Sequence, residues 1–408
     1  MTEATAQAAV KFAARIDRIE PSATMAVVAE ADRLRQAGVD VVDLSVGEPH
    51  FFTPQHIKEA GIAAIHNNFT RYTPVGGTAE LKRAIVERHA ADFGSAYKSD
   101  EVAACVGGKH ALFNTIQVLV DHGDEVILPV PYWVSFKDIV RYAGGSCVLL
   151  ETGEENGFRA SAEMIRRLVT PRTRLIILNS PANPSGAVMS SRELTEVARF
   201  AAERGIWVVS DECYVYLNFS GQRFSVGSLH AYRERIVVVG SLSKTYAMTG
   251  WRMGYALAPA KVVKAIEKLE SQSTSNPTSI VQKAAVAALT GSQECIEQMR
   301  GQYVQLRDRL LKRVAAVPGI SCAKPEGAFY LYPNISAFLG RRGINSPAEF
   351  ARRLLAEAHV ATVPGEGFGT NRHIRMSYAT SEKELDRGAE RLEQFLAKLG
   401  SPETTKGR

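Results

Sequence analysis

The chain has 408 residues, 45% of them hydrophobic, and its 49 basic and 43 acidic side chains leave a formal charge of +6. This length can bury a large core and predicts at least two domains or subdomains. The basic residues form no cluster, which argues against a nucleic-acid-binding surface and favours a mildly basic enzyme.

The N-terminal part of the chain predicts helices separated by turns. Residues 1–20 are rich in alanine and indicate a short helix or a loose arm. A short apolar strand at 41–46 ends at the turn Gly47-Glu-Pro49. Helices are predicted from apolar residues at helical spacing, at 25–37, 54–67 and 80–93.

From residue 102 the pattern changes to strands that alternate with helices. Short runs rich in β-branched residues predict strands at 102–106, 125–129, 147–150, 175–179, 206–210 and 236–240. Ser190 and Glu193 form a capping box at the start of a helix that ends at Gly205. Strands separated by helices imply an α/β fold, with a mainly parallel sheet covered by helices.

The last part of the chain predicts a separate, smaller α+β unit. A long helical stretch at 261–317 leads away from the sheet, and strands follow near 328–332, 359–363 and 373–377. Ser381 and Glu384 cap a final helix. Its apolar stripe is formed by Leu385, Leu392, Leu396 and Leu399. Residues 401–408 are expected to be a disordered tail.

Cysteine usage and hydropathy favour a soluble, cytoplasmic protein. The five cysteines are an odd number without C-x-x-C spacing, which is typical of reduced thiols. No apolar run is long enough to span a membrane, and the first residues lack the apolar core of a signal peptide.

Reactive side chains follow the predicted strand at 236–240. Ser241, Ser243, Lys244 and Arg252 come where that strand ends. Open α/β sheets bind ligands beyond the carboxyl ends of their strands. A lysine beside hydroxyls and a guanidinium indicates a Schiff-base lysine next to an anion clamp. Considered alone, this stretch also fits a solvated lysine and a surface arginine.

Other strand ends carry further polar or aromatic groups. Gly107-Gly-Lys109 begins a helix directly after a strand, where backbone N–H groups can face an anion. Trp133, a flat ring, follows the predicted strand at 125–129, and Asn183, an amide, follows the predicted strand at 175–179. Asp211, with Tyr214 after it, ends a buried strand and needs a partner, because an unpaired buried charge is costly. Each motif alone also fits a turn, core packing or a structural ion pair.

In their joint order these motifs resemble the fold-type-I pyridoxal phosphate (PLP) aminotransferases, in particular the bacterial aspartate aminotransferase branch of class I. The resemblance runs from Pro21-Ser-Ala-Thr24 to Tyr378-Ala-Thr-Ser381. It rests on Gly47-Glu-Pro49, Gly107-Gly-Lys109, Pro131-Tyr-Trp-Val-Ser135, Asn179-Ser-Pro-Ala-Asn-Pro-Ser-Gly186, Ser210-Asp-Glu-Cys-Tyr214, Ser243-Lys244, Ala247-Met-Thr-Gly-Trp-Arg252 and Arg375-Met-Ser-Tyr378.

The resemblance implies the PLP-dependent transferase fold type I, with a mainly parallel sheet of seven strands and a smaller α+β domain. The domains it implies are an N-terminal arm with part of the small domain (1–48), a large PLP-binding domain (49–310), and a C-terminal small domain (311–400). It also implies a transaminase that works as a homodimer with shared active sites.

The resemblance assigns catalytic roles to Lys244, Asp211 and Tyr214. Lys244 would carry PLP and then act as the general base, Asp211 would pair with the ring nitrogen, and Tyr214 would bind the 3′-oxygen. The other expected cofactor contacts are Asn183 at the 3′-oxygen, Trp133 against the ring, Gly108, Lys109, Ser241, Ser243 and Arg252 around the phosphate, and Tyr72 reaching across to the phosphate in the other subunit.

The resemblance also implies how substrates bind. Arg375 would form a bidentate pair with the α-carboxylate, next to Gly47, Trp133 and Asn183. Lys109 and Thr24 would meet a distal carboxylate. The favoured reaction is therefore the ping-pong transfer of an amino group from aspartate to 2-oxoglutarate. No metal site is expected.

Two other activities stay open: an aromatic or broad-range aminotransferase, and a PLP-dependent carbon–sulfur β-lyase. Glu20 stands where relatives that accept prephenate carry a basic residue, so poor activity on prephenate is expected. His50 and Phe52 replace two acidic residues near the entrance. Phe52 could favour a larger donor, although packing at the entrance is its expected role.

Overall fold

Helices and strands alternate along most of the chain in the computed structural model, which describes residues 11–21, 23–221 and 223–400. The strands of this part are β1 (Val42–Asp43), β2 (Val102–Cys105), β3 (Glu125–Val130), β4 (Ser146–Glu151), β5 (Thr173–Asn179), β6 (Trp207–Asp211), β7 (Ile236–Ser241), β8 (Gly254–Leu257), β9 (Tyr330–Leu331), β10 (Val360–Ala361), β11 (Val363–Pro364) and β12 (Ile374–Ser377). Its α-helices are α1 (Ala23–Gln36), α2 (Gln55–His66), α3 (Ala79–Phe93), α4 (Gly108–Leu119), α5 (Ser135–Ala143), α6 (Ala162–Arg166), α7 (Ser191–Glu203), α8 (Leu242–Thr245), α9 (Ala260–Glu270), α10 (Ser279–Thr290), α11 (Glu294–Ala315), α12 (Pro347–Ala358) and α13 (Glu382–Leu399).

A seven-stranded sheet with the order β2-β8-β7-β6-β5-β3-β4 forms the centre of the larger unit. The pairs β3–β4, β3–β5, β5–β6 and β6–β7 are parallel, and β8 is antiparallel to β2 and β7. The predicted α/β class with a mainly parallel sheet is confirmed. Asn179 pairs with Asp211, and Asp211 pairs with Val239, so the ends of β5, β6 and β7 lie side by side.

Apolar side chains cover both faces at the centre of this sheet, which explains why β5, β6 and β7 are largely apolar and rich in β-branched residues. Neighbouring residues of one strand point to opposite faces and enter different cores. Ile176, Val208 and Val238 belong to one buried cluster, and Ile177, Val209 and Val237 belong to another. Each such side chain stabilises the fold by about 1.5–3 kcal/mol. The sheet is therefore a rigid base for the residues at its edge.

The smaller unit joins the two ends of the described chain. β1 pairs in parallel with β10, and β11, β12 and β9 form an antiparallel sheet. Ser381 Oγ accepts a hydrogen bond from Glu384 N–H at the start of α13, as predicted. The predicted apolar stripe of this helix is buried in the core of the unit.

Several predicted bounds are wrong. The strand predicted at 41–46 is only Val42–Asp43, since Ser45 N–H turns back to donate to Asp43 Oδ1 at 2.8 Å. The helical stretch predicted at 261–317 is divided into α9, α10 and α11, with breaks at 271–278 and 291–293. The strand predicted at 359–363 is split into β10 and β11.

Some elements were not predicted, and some predictions concern residues that the structure does not describe. β8, α5 and α12 were not predicted. Residues 14–18 form turns, and the other calls on the arm and the tail concern residues 1–10 and 401–408, which lie outside the described residues. All five cysteines are free. Within the described chain, no helix has the length and apolar character needed to cross a membrane.

Candidate active site

A cavity of about 320 Å³ lies beyond the carboxyl ends of β5, β6 and β7. Every residue predicted for the site lines it, with the exception of Tyr72. Tyr72 is 91% exposed at the surface of the single chain. The structure therefore brings together groups from Thr24 to Arg375, which the sequence presents as separate motifs.

Lys244 lies in the short helix α8, directly after β7. Its Nζ donates a hydrogen bond to the carbonyl oxygen of Gly47 at 2.5 Å. Burial lowers the pKa of Lys244, with a smaller contribution in the same direction from Arg252 and Arg375 and an opposing one from Cys213 and Glu48. A lysine whose pKa is lowered in this way can supply the neutral amine that a nucleophile or base requires.

Asp211 is the last residue of β6, and few hydrogen bonds offset the burial of its carboxylate. Its side chain accepts a hydrogen bond from Cys213 N–H at 3.0 Å. Burial raises its pKa to about 6, and only that hydrogen bond opposes the rise. A cationic group placed beside Asp211 would favour its ionised form, so this position fits a protonated ring nitrogen.

The start of α4 forms a cradle for an anion. Gly107 has φ 87°, and the first N–H groups of the helix, at Gly108 and Lys109, have no partner within the helix. A Cβ at Gly107 would lie 2.9 Å from Arg252 Cζ, and one at Gly108 would lie 3.4 Å from Ser241 Oγ. Glycine therefore lets these donors surround a phosphate-sized group.

The positions of Ser241 and Arg252 are fixed by local backbone structure. Ser241 Oγ accepts a hydrogen bond from Ser243 N–H at 3.2 Å, at the start of α8. Arg252 has φ 57°, a left-handed conformation that is unusual for a residue with a side chain. Its Nη1 donates to Thr249 O at 2.9 Å, which turns the guanidinium group toward α4.

Arg375 is only 2% exposed and is held from several sides. Nη1 donates to Asn183 Oδ1 at 3.0 Å, and Nη2 donates to Ser45 O at 2.6 Å. The guanidinium carbon lies 4.4 Å from the centre of the Tyr330 ring and 5.1 Å from that of Phe368. Nε is buried without a partner among the described residues. The orientation of Arg375 is thus set before any ligand arrives.

Lys109 is a further basic residue of the same cavity. Lys109 Nζ is 4.9 Å from the centre of the Trp133 ring, a cation–π distance. Burial lowers the pKa of Lys109, and the charge of Arg252 contributes to this effect. Thr24 and Met25, at the start of α1, line the cavity as well.

The residues singled out at the entrance lie outside the cavity. Phe52 is 91% exposed, so the expected packing at the entrance is wrong for the single chain. His50 instead contacts Phe51 and Tyr303, with ring centres 4.1 and 5.8 Å away. Glu20 Oε1 lies 4.0 Å from Arg141 Nη1, a surface pair of small energetic value.

The sequence reasoning missed Tyr330, which lines the cavity from β9. Tyr330 is fully buried, and its hydroxyl lies 2.7 Å from that of Tyr214. It belongs to the run Phe329-Tyr-Leu-Tyr332, which has the apolar pattern of a core strand. A hydroxyl in such a run, which needs a polar partner when buried, was the available signal.

Comparisons with known proteins agree with this geometry. A family model described as aminotransferase class I and II matches residues 39–392. An aspartate aminotransferase of Geobacillus stearothermophilus is 44% identical over 389 residues, which cover 95% of this chain and 99% of that protein. An aspartate/prephenate aminotransferase of Thermus thermophilus is 43% identical, with 94% and 98% covered.

Solved structures show the same likeness. The aspartate aminotransferase from Thermus thermophilus with maleate has a TM-score of 0.91 and 42% identity, and the match covers 95% of this chain and all of that one (100%). The aspartate aminotransferase from Rhizobium meliloti also has a TM-score of 0.91, at 39% identity, with 95% and 98% covered.

Proposed function

This chain belongs to the class I and II aminotransferases, and from that membership we propose that it transfers the amino group of aspartate to 2-oxoglutarate by a ping-pong mechanism. It is a transaminase, its cofactor is PLP, and its substrates are the small molecules of this reaction class, an amino acid and a 2-oxo acid. When bound, PLP supplies an electron sink for the charge that develops at the substrate Cα. One observation supports the choice of aspartate: besides Lys244 and the phosphate-side Arg252, the cavity is lined by two further cations, Arg375 and Lys109.

The residues that would hold the cofactor follow from the site. Asp211 would face the ring nitrogen, because this buried carboxylate gains most from a cationic partner. Tyr214 and Asn183 would bind the 3′-oxygen, and Trp133 would cover the ring. The phosphate would be bound by the first N–H groups of α4 and by the hydroxyl and guanidinium groups around them, from Ser241, Ser243 and Arg252.

Lys244 would move the proton that transamination requires. Its Nζ would take the proton from the substrate Cα and hold it, and bound PLP would supply C4′ as the position that finally receives it. The lowered pKa of Lys244 keeps a fraction of the amine neutral for this task. Gly47, whose carbonyl accepts a hydrogen bond from Nζ, restrains the amine next to the substrate.

The two ends of the substrate would be bound by different cations. Arg375 would receive the α-carboxylate, because its Nη1 and Nη2 are already oriented by Asn183 and Ser45. Lys109 would receive the distal carboxylate, with Thr24 beside it. A donor with two carboxylates therefore satisfies both charges, whereas a neutral side chain leaves Lys109 without an anion.

The experiment follows the absorbance of the PLP-loaded protein as single amino acids are added. We expect aspartate and glutamate to change the cofactor band at lower concentrations than phenylalanine. Lys109→Ala retains the backbone N–H that faces the phosphate, and it should raise KM for aspartate by about tenfold or more. KM for alanine, which has no distal carboxylate, serves as the control and should change by less than about twofold.

Other outcomes would identify the alternatives. A stronger response to phenylalanine than to aspartate would mean an aromatic or broad-range aminotransferase. Release of pyruvate and ammonia from a cysteine conjugate, without any oxo acid acceptor, would mean a carbon–sulfur β-lyase. In either case aspartate would not be the physiological donor.

A homodimer with shared sites is part of the proposal. Tyr72 and Phe52 are both 91% exposed, and Ile62 and Ile65 on α2 are each 52% exposed. A second subunit would cover these apolar groups and bring Tyr72 to a neighbouring phosphate. The proposal also includes a cytoplasmic location, supported by the five free cysteines; cell fractionation checks it.

A further inference from the structure

Tyr330 contacts several parts of the candidate active site at once. Its hydroxyl lies 2.7 Å from the Tyr214 hydroxyl. A Cβ at Gly47 would lie 2.7 Å from Tyr330 Oη, so the backbone that meets Lys244 passes directly against this hydroxyl. The face of its ring lies against Arg375. None of the motifs in the sequence assigned Tyr330 a role.

The direction of the hydrogen bond between the two tyrosines determines what Tyr214 can offer a ligand. A neutral tyrosine has one proton to donate. Burial raises the pKa of Tyr214 and of Tyr330, so each keeps its proton at neutral pH. If Tyr214 donated to Tyr330, it could not donate to a ligand. If Tyr330 donates, the proton of Tyr214 is free to point into the cavity.

The environment of Tyr330 favours the second arrangement. Tyr214 is the only hydrogen-bond partner that the described residues provide for the Tyr330 hydroxyl. Tyr330 is fully buried, so an undonated proton there would be costly. Tyr214 can instead donate to an acceptor in the cavity. A chain of two hydrogen bonds also strengthens each member, because the first polarises the second.

We propose that Tyr330 is a positioning residue, which donates its proton to Tyr214 and thereby strengthens the hydrogen bond that Tyr214 donates to the 3′-oxygen of the cofactor, and whose ring holds Arg375 in place for the substrate carboxylate. This inference rests on the proposed function and adds to it a link between the two halves of the site. The hydroxyl acts on the cofactor side and the ring acts on the substrate side, so different substitutions separate the two effects.

The test uses Tyr330→Phe in the PLP-loaded full chain, since phenylalanine retains the ring and fills the same space. The absorbance of bound PLP reports the protonation of Lys244 Nζ in its bond to the cofactor. Weaker donation from Tyr214 leaves more negative charge on the 3′-oxygen, which favours a proton on the nearby Nζ. We expect the pH midpoint of the absorbance change to rise by about half a unit.

Two further measurements distinguish positioning from general stability. The affinity for maleate, a dicarboxylate that cannot be transaminated, should change by less than about twofold in Tyr330→Phe. It should fall by about three- to tenfold in Tyr330→Leu, which removes the aromatic face beside Arg375. In a Tyr214→Phe background, Tyr330→Phe should cause no further shift of the midpoint, because the chain of hydrogen bonds is already broken.

Each contrary result has a distinct meaning. An unchanged midpoint in Tyr330→Phe, in a preparation whose wild type responds to amino donors, would overturn the inference and leave the proposed function intact. An equal shift with and without Tyr214→Phe would also overturn it, since the effect would not pass through Tyr214. A wild-type protein whose bound cofactor responds to no amino donor would contradict the proposed function and the role of Tyr330 together.

Discussion

At the scale of single residues, Asp211 is costly to the cofactor-free protein. Its pKa in the folded protein is raised by burial to about 6, above the ordinary value of 3.8. The folded state therefore binds this proton more tightly than the unfolded state does. Stability is lost as the pH rises from about 4 to about 6, and the total cost at neutral pH is on the order of 2–3 kcal/mol.

We predict that Asp211→Asn stabilises the cofactor-free protein, with a gain that grows by about 1 kcal/mol between pH 5 and pH 7. Chemical denaturation of both proteins over this range measures the difference. The pKa of Glu212 is also raised by burial, to about 7, but both proteins contain Glu212, so the comparison largely removes its contribution. A gain that does not depend on pH would contradict this account of Asp211.

Sequence patterns could identify the reactive residues but not all of their neighbours. Lys244, Asp211 and Arg252 each fit a structural role when considered alone, and only their joint order with the other motifs along the chain identified them. Tyr330 could not be identified in the same way, because its partner Tyr214 lies 116 positions earlier. Only the packing of the small unit against the sheet shows that the two hydroxyls meet.

At the scale of elements, the start of α4 depends on a glycine for two separate reasons. Gly107 has a positive φ, and a Cβ there would clash with the Arg252 guanidinium. Gly123 has the same φ of 87°, yet a Cβ there would meet nothing within 4 Å. Substitutions at Gly107 and Gly123 should therefore cause the same backbone strain, but only the one at Gly107 should also displace Arg252.

We predict that Gly107→Ala lowers the affinity for PLP by about tenfold or more, because Arg252 must leave the phosphate cradle. The matched control, Gly123→Ala, should change this affinity by less than about twofold, although both variants have a backbone cost of about 1–2 kcal/mol. Titration of the cofactor-free protein with PLP, followed by tryptophan fluorescence, measures both. Equal affinities for the two variants would show that Arg252 does not depend on Gly107.

The elements themselves were predictable where burial alone determines them. β5, β6 and β7 are covered on both faces, so their sequences are largely apolar and rich in β-branched residues, which leaves few alternatives to a strand. β8 contains Gly254-Tyr-Ala-Leu257, a run of four residues without such a signal. It becomes a strand because β2 and β7 provide hydrogen-bond partners on either side, which is a property of the tertiary structure.

At the scale of the whole molecule, the proposed dimer allows a test by subunit exchange. Lys244→Ala removes the reactive amine but retains Tyr72, and Tyr72→Ala does the reverse. If Tyr72 reaches the phosphate in the other subunit, each mixed dimer contains one complete site. We predict that mixing the two variants restores about one quarter of wild-type activity. Activity no greater than the sum of the separate variants would contradict the sharing of sites.

The pairing of β1 with β10 has a consequence for how the chain is made. Val42 leaves the ribosome long before its partner Val360, which is synthesised 318 residues later. The sheet and its helices can fold while translation continues, but the smaller unit has to wait for α12 and α13. The cavity is lined from both units, so a nascent chain has no complete binding site until Tyr330 and Arg375 have been synthesised and the smaller unit has folded.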